Sequence, residues 1–260
     1  MHDITLQLTS FLEKVGTDKA SSVSESLIEE FGERCKAALR ECLLERKKEG
    51  FRLRMSNVGR SLRQLMLEKL YGRVALSPAT KIRMVYGYMA ESLMVFLLKA
   101  SGCNVQELDK EVKYSYNNQE LQGKYDIKID GKIYDIKSAS NYSFTQKFRD
   151  AYSLKKDDSF GYFAQGFGYA EADDGTFGGW ICLDKSSGDF KVVPIQGITY
   201  AELRKEYVDE IQFKMDYLNN PKAELPPCTG MGVSKTGRAT MTTECRFCDF
   251  KNEVCHPKEQ

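Results

Sequence analysis

The spacing of apolar residues in the first fifty positions has the period of an amphipathic helix. Apolar side chains recur there every three or four residues, at Leu27, Ile28, Phe31, Cys35, Ala38, Leu39 and Cys42. This spacing puts them on one face of a helix, and a serine before it, Ser22 or Ser24, is a residue type that caps helix starts. The pattern therefore predicts a helix whose buried face includes Cys35 and Cys42.

Two more helices are predicted before residue 100. One begins near Ser56 as its N-cap and runs to a break at Gly72. The other covers about residues 80–100 and is strongly apolar, but Arg83, Glu91 and Lys99 interrupt it. A membrane span needs about 20 mostly apolar residues, so we expect this segment to be a buried helix.

The later pattern alternates between strand and helix signals. We expect strands near residues 111–116, 180–183 and 190–195, a hairpin over 123–137, and helices over 160–172 and 199–218. Helices that lead into a mixed sheet, with a further helix packed after it, describe an α/β fold. With 42% hydrophobic residues in a 260-residue chain, there is enough apolar sequence for a proper core.

Charge is unevenly distributed, although the net charge is only +1. Between residues 46 and 83, lysines and arginines dominate, and Glu49 and Glu68 are the acidic residues among them. Such a segment can face nucleic-acid phosphates, with Arg54, Arg60 and Arg63 as candidate contacts, or it can be a solvated helix face. Composition alone does not separate these two interpretations.

The sequence from residue 123 to 137 predicts a hairpin that carries acidic residues. Asp130-Gly131 is a strong two-residue turn signal, and a turn there places Asp126 opposite Asp135, with Cβ atoms roughly 5 Å apart. Lys137 lies on the same face. The apolar residues of both strands are expected on the other face, where they can enter a core: Tyr125, Ile127, Ile129, Tyr134 and Ile136.

Two like charges opposite each other destabilise a hairpin, so a compensating cation is expected. Oxygen ligands of this kind suit Mg²⁺ or Mn²⁺, and a neighbouring ammonium can help a water to attack phosphorus. The alternative is an exposed strand pair with a mixed-charge outer face. The combination of G-x-x-D with D-x-K favours the metal site.

An ordered set of four motifs resembles the RecB type of the PD-(D/E)XK nuclease superfamily. The motifs are Gly87-x-x-x-Glu91, Gly123-x-x-Asp126, Asp135-x-Lys137 and Gln165-x-x-x-Tyr169. The resemblance implies a restriction-endonuclease-like core, with a mixed central sheet flanked by helices. It also implies that Mg²⁺ or Mn²⁺ is held by Glu91, Asp126, Asp135 and the carbonyl of Ile136.

By the same resemblance, Lys137 orients and helps to deprotonate the attacking water, or stabilises charge in the transition state. Gln165 and Tyr169, one helical turn apart, contact Lys137 or the DNA backbone, although Tyr169 could also be an ordinary packed aromatic residue. The two histidines, His2 and His256, lie near the two ends of the sequence. General-base catalysis is therefore expected from Lys137 and the metal.

The implied activity is exonucleolytic hydrolysis of DNA at single-stranded or duplex ends, in recombination, repair or phage replication. A structure-specific endonuclease of the same fold is one alternative. A non-catalytic nucleic-acid-binding module with a structural metal is another. A requirement for DNA ends would separate the first two, and metal-dependent cleavage would exclude the third.

Cysteines cluster near the end of the sequence, at Cys228, Cys245, Cys248 and Cys255. A C-x-x-C pair with two more thiolates can bind one metal centre. The tail resembles the staple of CRISPR-associated and AddB-like iron-sulfur nucleases, which implies a 4Fe-4S cluster, with Zn²⁺ as the alternative. Those families take their first cysteine from an early helix, where this chain has none in residues 59–65, so Cys228 would replace it.

Three regions are expected: a helical region with the basic segment at 1–79, a nuclease core at 80–222, and a cysteine-bearing tail at 223–260. Residues 1–14 lack the basic and long apolar segments of a signal peptide. We therefore expect a cytoplasmic protein, in the host cytoplasm if viral, that is not bound to a membrane.

Overall fold

The computed structural model describes residues 2–17, 23–44, 50–196, 199–228, 231–233, 239–246 and 248–251. Five helices precede the first strand: α1 (Asp3–Lys14), α2 (Glu25–Leu43), α3 (Met55–Val58), α4 (Leu62–Tyr71) and α5 (Pro78–Ala100). The hydroxyls of Ser61 and Ser77 accept backbone N–H groups in the first turns of α4 and α5. These bonds satisfy donors that a helix start leaves without partners.

A five-stranded sheet follows the helices. Its strands are β1 (Val105–Tyr116), β2 (Gln119–Ile129), β3 (Lys132–Ala139), β4 (Thr176–Asp184) and β5 (Phe190–Pro194), and they lie side by side in chain order. All neighbours are antiparallel except β3 and β4, which run parallel. The prediction of an α/β fold with a mixed sheet flanked by helices is confirmed.

A parallel pair needs a long crossover, and the one between β3 and β4 carries three helical elements. They are a π-helical turn (Ser143–Lys147), α6 (Ala151–Lys156) and α7 (Tyr162–Ala172). The helix α8 (Tyr200–Asn219) follows β5, and the tail contributes β6 (Met231–Val233), β7 (Ala239–Met241) and α9 (Thr243–Arg246). The sequence pattern predicted α7 and α8, but it did not predict the π-helical turn or α6.

Separate hydrophobic clusters cover the two faces of the sheet. One packs α1 and α5 on the strands through residues that include Leu8, Met94, Leu98, Ile127 and Ile136. The other packs α7 and α8 on the opposite face through residues that include Phe163, Phe167, Trp180, Ile211 and Met215. Because residues of a strand alternate between faces, β3 contributes to both clusters.

The second predicted helix is divided into α3 and α4. Ser56 lies inside α3 rather than at its N-cap, and Ser61 caps α4 instead. Gly59 stands at the break, where its backbone approaches Gly161 so closely that a Cβ on either glycine would overlap the other residue. This close crossing explains why one continuous helix does not form. The helix α4 ends at Tyr71, directly before the predicted break at Gly72, which has a φ of 79°.

The other predicted helices agree well with the structure. Ser24 is the N-cap of α2, while Ser22 lies outside the described residues. Cys42 is buried as predicted, but Cys35 is only partly buried. In the described part of the chain, no helix is long and apolar enough to cross a membrane.

Candidate active site

The predicted hairpin forms with the predicted turn. Asp130 and Gly131 have φ values of 48° and 75°, as a primed two-residue turn requires. The strands pair in the expected register, Ile129 with Lys132 and Ile127 with Tyr134. That pairing ends at Ile127, one residue before Asp126 would meet Asp135. The two strands therefore separate at the position of the acidic residues.

Asp126 occupies the gap that this separation opens. Its Oδ2 accepts a hydrogen bond from the backbone N–H of Ile136 at 2.6 Å. If the β2–β3 pairing continued, this N–H would instead donate to the carbonyl of Tyr125. On the other side of β2, Asp109 of β1 has a φ of 50°. Leu108 pairs with Ile127 and Lys110 with Tyr125, but Asp109 and Asp126 between them are not paired. Asp126 thus lies where the β2–β3 pairing ends and opposite an unpaired position in the otherwise continuous β1–β2 pairing.

The break also changes which core Tyr125 enters. All five apolar residues of the hairpin are buried, as predicted, but they do not share one face. Ile127, Ile129, Tyr134 and Ile136 join the cluster under α1 and α5, whereas Tyr125 joins the cluster under α7. The prediction of a single apolar face is wrong because the strand geometry changes at Asp126.

Asp135 and Lys137 form a buried pair in the centre of the sheet. Asp135 is 1% exposed, and its Oδ2 lies 2.7 Å from Lys137 Nζ. Apart from this ammonium, no donor among the described residues reaches the oxygen. One ammonium compensates the buried carboxylate only in part, since burial still raises the pKa of Asp135. The carboxylate therefore has capacity for a further positive ligand.

Gln165 and Tyr169 of α7 extend the contacts of Lys137. Gln165 Oε1 accepts from Lys137 Nζ at 3.2 Å, and Gln165 Nε2 donates to the Tyr169 hydroxyl at 3.0 Å. Gly123 permits this packing, because a Cβ there would lie 2.7 Å from Tyr169 Cε1. The structure thus brings together Lys137, Gln165 and Tyr169, as the motif order implied.

The third predicted carboxylate, Glu91, comes from α5. Its Oε1 lies 3.4 Å from Arg34 Nη2, and Arg34 also binds the carboxylate of Asp109. Lys124 lies 3.2 Å from the same Asp109. Burial, followed by the charge of Asp109, raises the pKa of Glu91 to about 7, although Arg34 and Lys124 act in the opposite direction.

The three carboxylates influence one another electrostatically. Burial, and then the charges of Asp135 and Glu91, raise the pKa of Asp126 well above its usual range. Burial also raises the pKa of Asp135, and Lys137 opposes this shift. Burial by itself would lower the pKa of Lys137, but the charges of Asp135 and Asp126 raise it overall. Ionising all three carboxylates together is therefore unfavourable without a further positive charge.

No group of three or more histidine, cysteine, aspartate or glutamate side chains stands ready to hold a metal ion in the residues that the structure describes. Glu91 instead contacts Arg34. The ligand chemistry nevertheless suits a hard cation, because Asp135 Oδ2 contacts only the Lys137 ammonium as a donor among the described residues, and the neighbouring carboxylates repel one another. A cation between them would compensate both features.

Sequence reasoning did not find Arg34, Asp109 or Tyr162. Arg34 lies three residues after Phe31, on the apolar face of α2, and a charge at such a position was a usable signal. Asp109 could not be recognised, because its importance comes from a backbone φ of 50°. Tyr162 places its ring 4.9 Å from Lys137 Nζ, a contact that only the fold creates.

The candidate DNA contacts have partners within the protein. Arg60 binds the buried carboxylate of Glu68, and Arg63 Nη1 donates to the carbonyl of Pro226 at 2.5 Å. Arg54 is the N-cap residue of α3 and is partly buried. These contacts join the basic segment to the rest of the fold, and its role in DNA binding stays a prediction.

The cysteine tail is described only in part. Cys245 and Cys248 are buried, Cys228 is exposed, and Cys255 lies outside the described residues. Cys248 and Phe250 pack against Leu67 of α4. The tail thus has a defined contact with the helical region, while the predicted four-cysteine ligand set stays a prediction.

Comparisons with known proteins give a weak similarity. No known protein family matches the chain, and no curated protein matches it. A solved structure, the crystal structure of SSO0001, aligns with 92% of this chain and 98% of its own, at 16% identity and with a TM-score of 0.49. The functional interpretation therefore depends on the geometry of the chain's own residues.

Proposed function

We propose that this protein is a metal-dependent DNA exonuclease of the RecB type, built on a restriction-endonuclease-like core. It hydrolyses phosphodiester bonds at single-stranded or duplex DNA ends in recombination, repair or phage replication. The observation that carries this proposal is the buried Asp135, which lies beside Asp126 and whose Oδ2 is reached by no donor among the described residues other than the Lys137 ammonium.

Mg²⁺ or Mn²⁺ would be held by Asp126, Asp135 and Glu91, with the carbonyl of Ile136 as a further oxygen. Hard cations of this kind prefer carboxylate and carbonyl oxygens. The raised pKa values of Asp126 and Glu91 come from burial and mutual repulsion, and positive charge would relieve both effects. When bound, the cation would polarise the phosphate and activate the attacking water.

Lys137 acts mainly as a positively charged hydrogen-bond donor to the phosphate. Its pKa is raised by Asp135 and Asp126, so the ammonium keeps its proton at neutral pH. An ammonium fixed at this position can stabilise negative charge that develops on the phosphate oxygens. Gln165 orients it, since the amide oxygen accepts from Nζ while the amide nitrogen is engaged by Tyr169.

The test is digestion of linear DNA in the presence of Mg²⁺ or Mn²⁺. We expect digestion by the wild-type protein and a loss of at least about a hundredfold in Asp126→Asn, Asp135→Asn and Lys137→Met, since the aspartates would hold the cation and the lysine ammonium stabilises charge in the transition state. Chelation of the cation should have the same effect in the wild type.

A matched control uses another ion pair with the same 2.7 Å separation, Lys205 with Asp209 on the exposed face of α8. Lys205→Met and Asp209→Asn should digest DNA at the wild-type rate. Undiminished digestion by all three site variants would contradict the proposal. Digestion of closed circular DNA would reassign the protein as an endonuclease, and salt-sensitive binding without cleavage would reassign it as a binding module.

A further inference from the structure

The guanidinium of Arg34 joins two acidic residues that come from different parts of the fold. Arg34 lies on α2, and its Nη2 donates to Glu91 Oε1 of α5 at 3.4 Å. Its other terminal nitrogen, Nη1, donates to Asp109 Oδ2 of β1. A planar guanidinium can bind two carboxylates at once, because its donors point in fixed directions. Arg34 therefore connects a candidate metal ligand on a helix to the sheet.

Asp109 anchors this connection at the candidate site. Its second oxygen, Oδ1, lies 3.2 Å from Lys124 Nζ, so positively charged side chains contact both oxygens of the carboxylate. Asp109 is also the residue of β1 that stands unpaired opposite Asp126. Through Asp109, Arg34 holds Glu91 relative to the position in the sheet at which Asp126 lies.

Glu91 keeps one carboxylate oxygen for a further ligand. Arg34 binds Oε1, and Oε2 makes no hydrogen bond to any residue that the structure describes. Both side chains are largely buried, with 17% of Arg34 and 19% of Glu91 exposed, so solvent screens their contact only weakly. A carboxylate can give one oxygen to a guanidinium and the other to a metal ion, and the guanidinium then fixes its orientation.

The positive charge of Arg34 adds little net repulsion toward a cation. The negative charge of Asp109 is in contact with it, and two opposite charges in contact act on a third charge much less than either would alone. Lys124 is 51% exposed, so water and salt screen its charge. The effect of Arg34 on a bound cation therefore comes mainly from the way in which it holds Glu91.

We propose that Arg34 is a positioning residue for the cation site, which holds the Glu91 carboxylate with Oε2 free for Mg²⁺ or Mn²⁺. The inference rests on the proposed function, because it takes Glu91 as a ligand of the catalytic cation. Without Arg34, the cation would have to order the Glu91 side chain itself, at a cost in conformational entropy. Loss of such an outer partner typically lowers metal affinity about 10- to 100-fold.

A purely structural ion pair between α2 and α5 is the alternative role for Arg34. These two helices have other contacts, since Phe31 of α2 packs on Phe96 of α5 with ring centroids 5.8 Å apart. Lys99 of α5 also donates to Glu30 of α2 at 2.6 Å. A structural pair would contribute to stability in the same way as these contacts do, and its removal would leave metal affinity unchanged.

The experiment is a titration with Mn²⁺ in the absence of DNA, in which electron paramagnetic resonance measures the free ion. Arg34→Gln should weaken Mn²⁺ binding about tenfold or more. In a protein that already carries Glu91→Gln, the same substitution should cause no further loss, because a positioning residue acts through the ligand that it holds. A purely structural role would not produce this dependence on Glu91.

Lys99→Gln is the matched control. It also removes a positive charge from the interface of α2 and α5, but about 12 Å further along α5 than Glu91. This variant should bind Mn²⁺ as the wild type does.

Wild-type Mn²⁺ affinity in Arg34→Gln would overturn the proposal, and so would tighter binding, which would make Arg34 a competitor of the cation. An equal loss in the Glu91→Gln background would overturn it as well, because Arg34 would then not act through Glu91. The same holds for a wild type that binds no Mn²⁺.

The two proposals fail separately. If the wild type digests DNA but Arg34→Gln binds Mn²⁺ normally, the positioning role is rejected and the nuclease stands. If Mn²⁺ binding depends on Arg34 through Glu91 but neither Mg²⁺ nor Mn²⁺ supports digestion, the positioning role stands and the nuclease is rejected. Near-wild-type circular dichroism of Arg34→Gln separates lost positioning from misfolding.

Discussion

Glu91 is an acid that the fold keeps in an unfavourable environment. Its pKa is raised to about 7 from an ordinary value of 4.5, first by burial and then by Asp109. Folding therefore favours the protonated form. As pH rises from about 4.5 to 7, this residue progressively lowers the free energy of unfolding, and the full penalty remains above that range.

Glu91→Gln should consequently stabilise the metal-free protein at high pH. At about pH 8 we expect a gain of up to about 3 kcal/mol in the free energy of unfolding, because each pKa unit corresponds to about 1.4 kcal/mol. Near pH 4.5 the two proteins should be almost equally stable. Urea unfolding at both pH values, with a chelator present, measures the difference.

The surface substitution Glu33→Gln serves as the control, since Glu33 lies on α2 with 62% of its side chain exposed. It should change stability little at either pH. An identical effect of Glu91→Gln at both pH values would show that ionisation of Glu91 does not destabilise the folded protein.

Among the elements, the crossing of α3 with the start of α7 depends on two glycines. A Cβ on Gly59 would lie 2.7 Å from the carbonyl carbon of Gly161, and backbone cannot move aside as a flexible side chain can. Gly59→Ala should therefore destabilise the protein by at least about 2 kcal/mol, which is the usual scale of overpacking. Thermal unfolding followed by circular dichroism would measure this loss.

Gly87 provides the opposite case on the long helix α5. A Cβ at Gly87 would meet no atom within 4 Å. Gly87→Ala should then stabilise the protein by up to about 1 kcal/mol, because alanine favours the helical backbone. If both alanine variants shifted the melting temperature in the same direction, the close crossing would not be the cause.

The sequence predicts well those elements that are determined by residues close to one another in the chain. The Asp130-Gly131 turn, its register and the Gln165–Tyr169 pair follow from residues close in the chain, and the structure has all three. At the strand break beside Asp126, Tyr125 instead packs against Tyr169 of α7, which lies far away in the sequence. Local alternation consequently placed Tyr125 on the wrong face.

For the whole molecule, the two sheet-covering clusters include no residue beyond Met215 among those that the structure describes. The described part of the tail contacts the helical region through Cys248 and Phe250 on Leu67 and through the Pro226 carbonyl on Arg63. Loss of a metal centre from the tail should therefore leave the sheet folded. The sequence could predict a cysteine-bearing unit, but it could not predict its docking on α4, which is a tertiary contact.

Protein purified without oxygen should show a broad visible absorbance band if the tail holds the proposed 4Fe-4S cluster, and none if it holds Zn²⁺. Cys245→Ser with Cys248→Ser should abolish the metal and let protease remove the tail, while the remaining core still unfolds cooperatively. Cys103→Ser, at a buried cysteine outside the tail, should keep its metal. Full metal content in the double variant would contradict this assignment.

The hydrogen bond from the Ile136 backbone amide to the Asp126 carboxylate lets the state of Asp126 be measured without any substrate. That amide proton is sequestered by a carboxylate instead of by a neighbouring strand, so its exchange with deuterated solvent tracks the engagement of that carboxylate. The nuclear magnetic resonance signal of this one amide would thus report cation binding by Asp126, even in a protein that shows no activity.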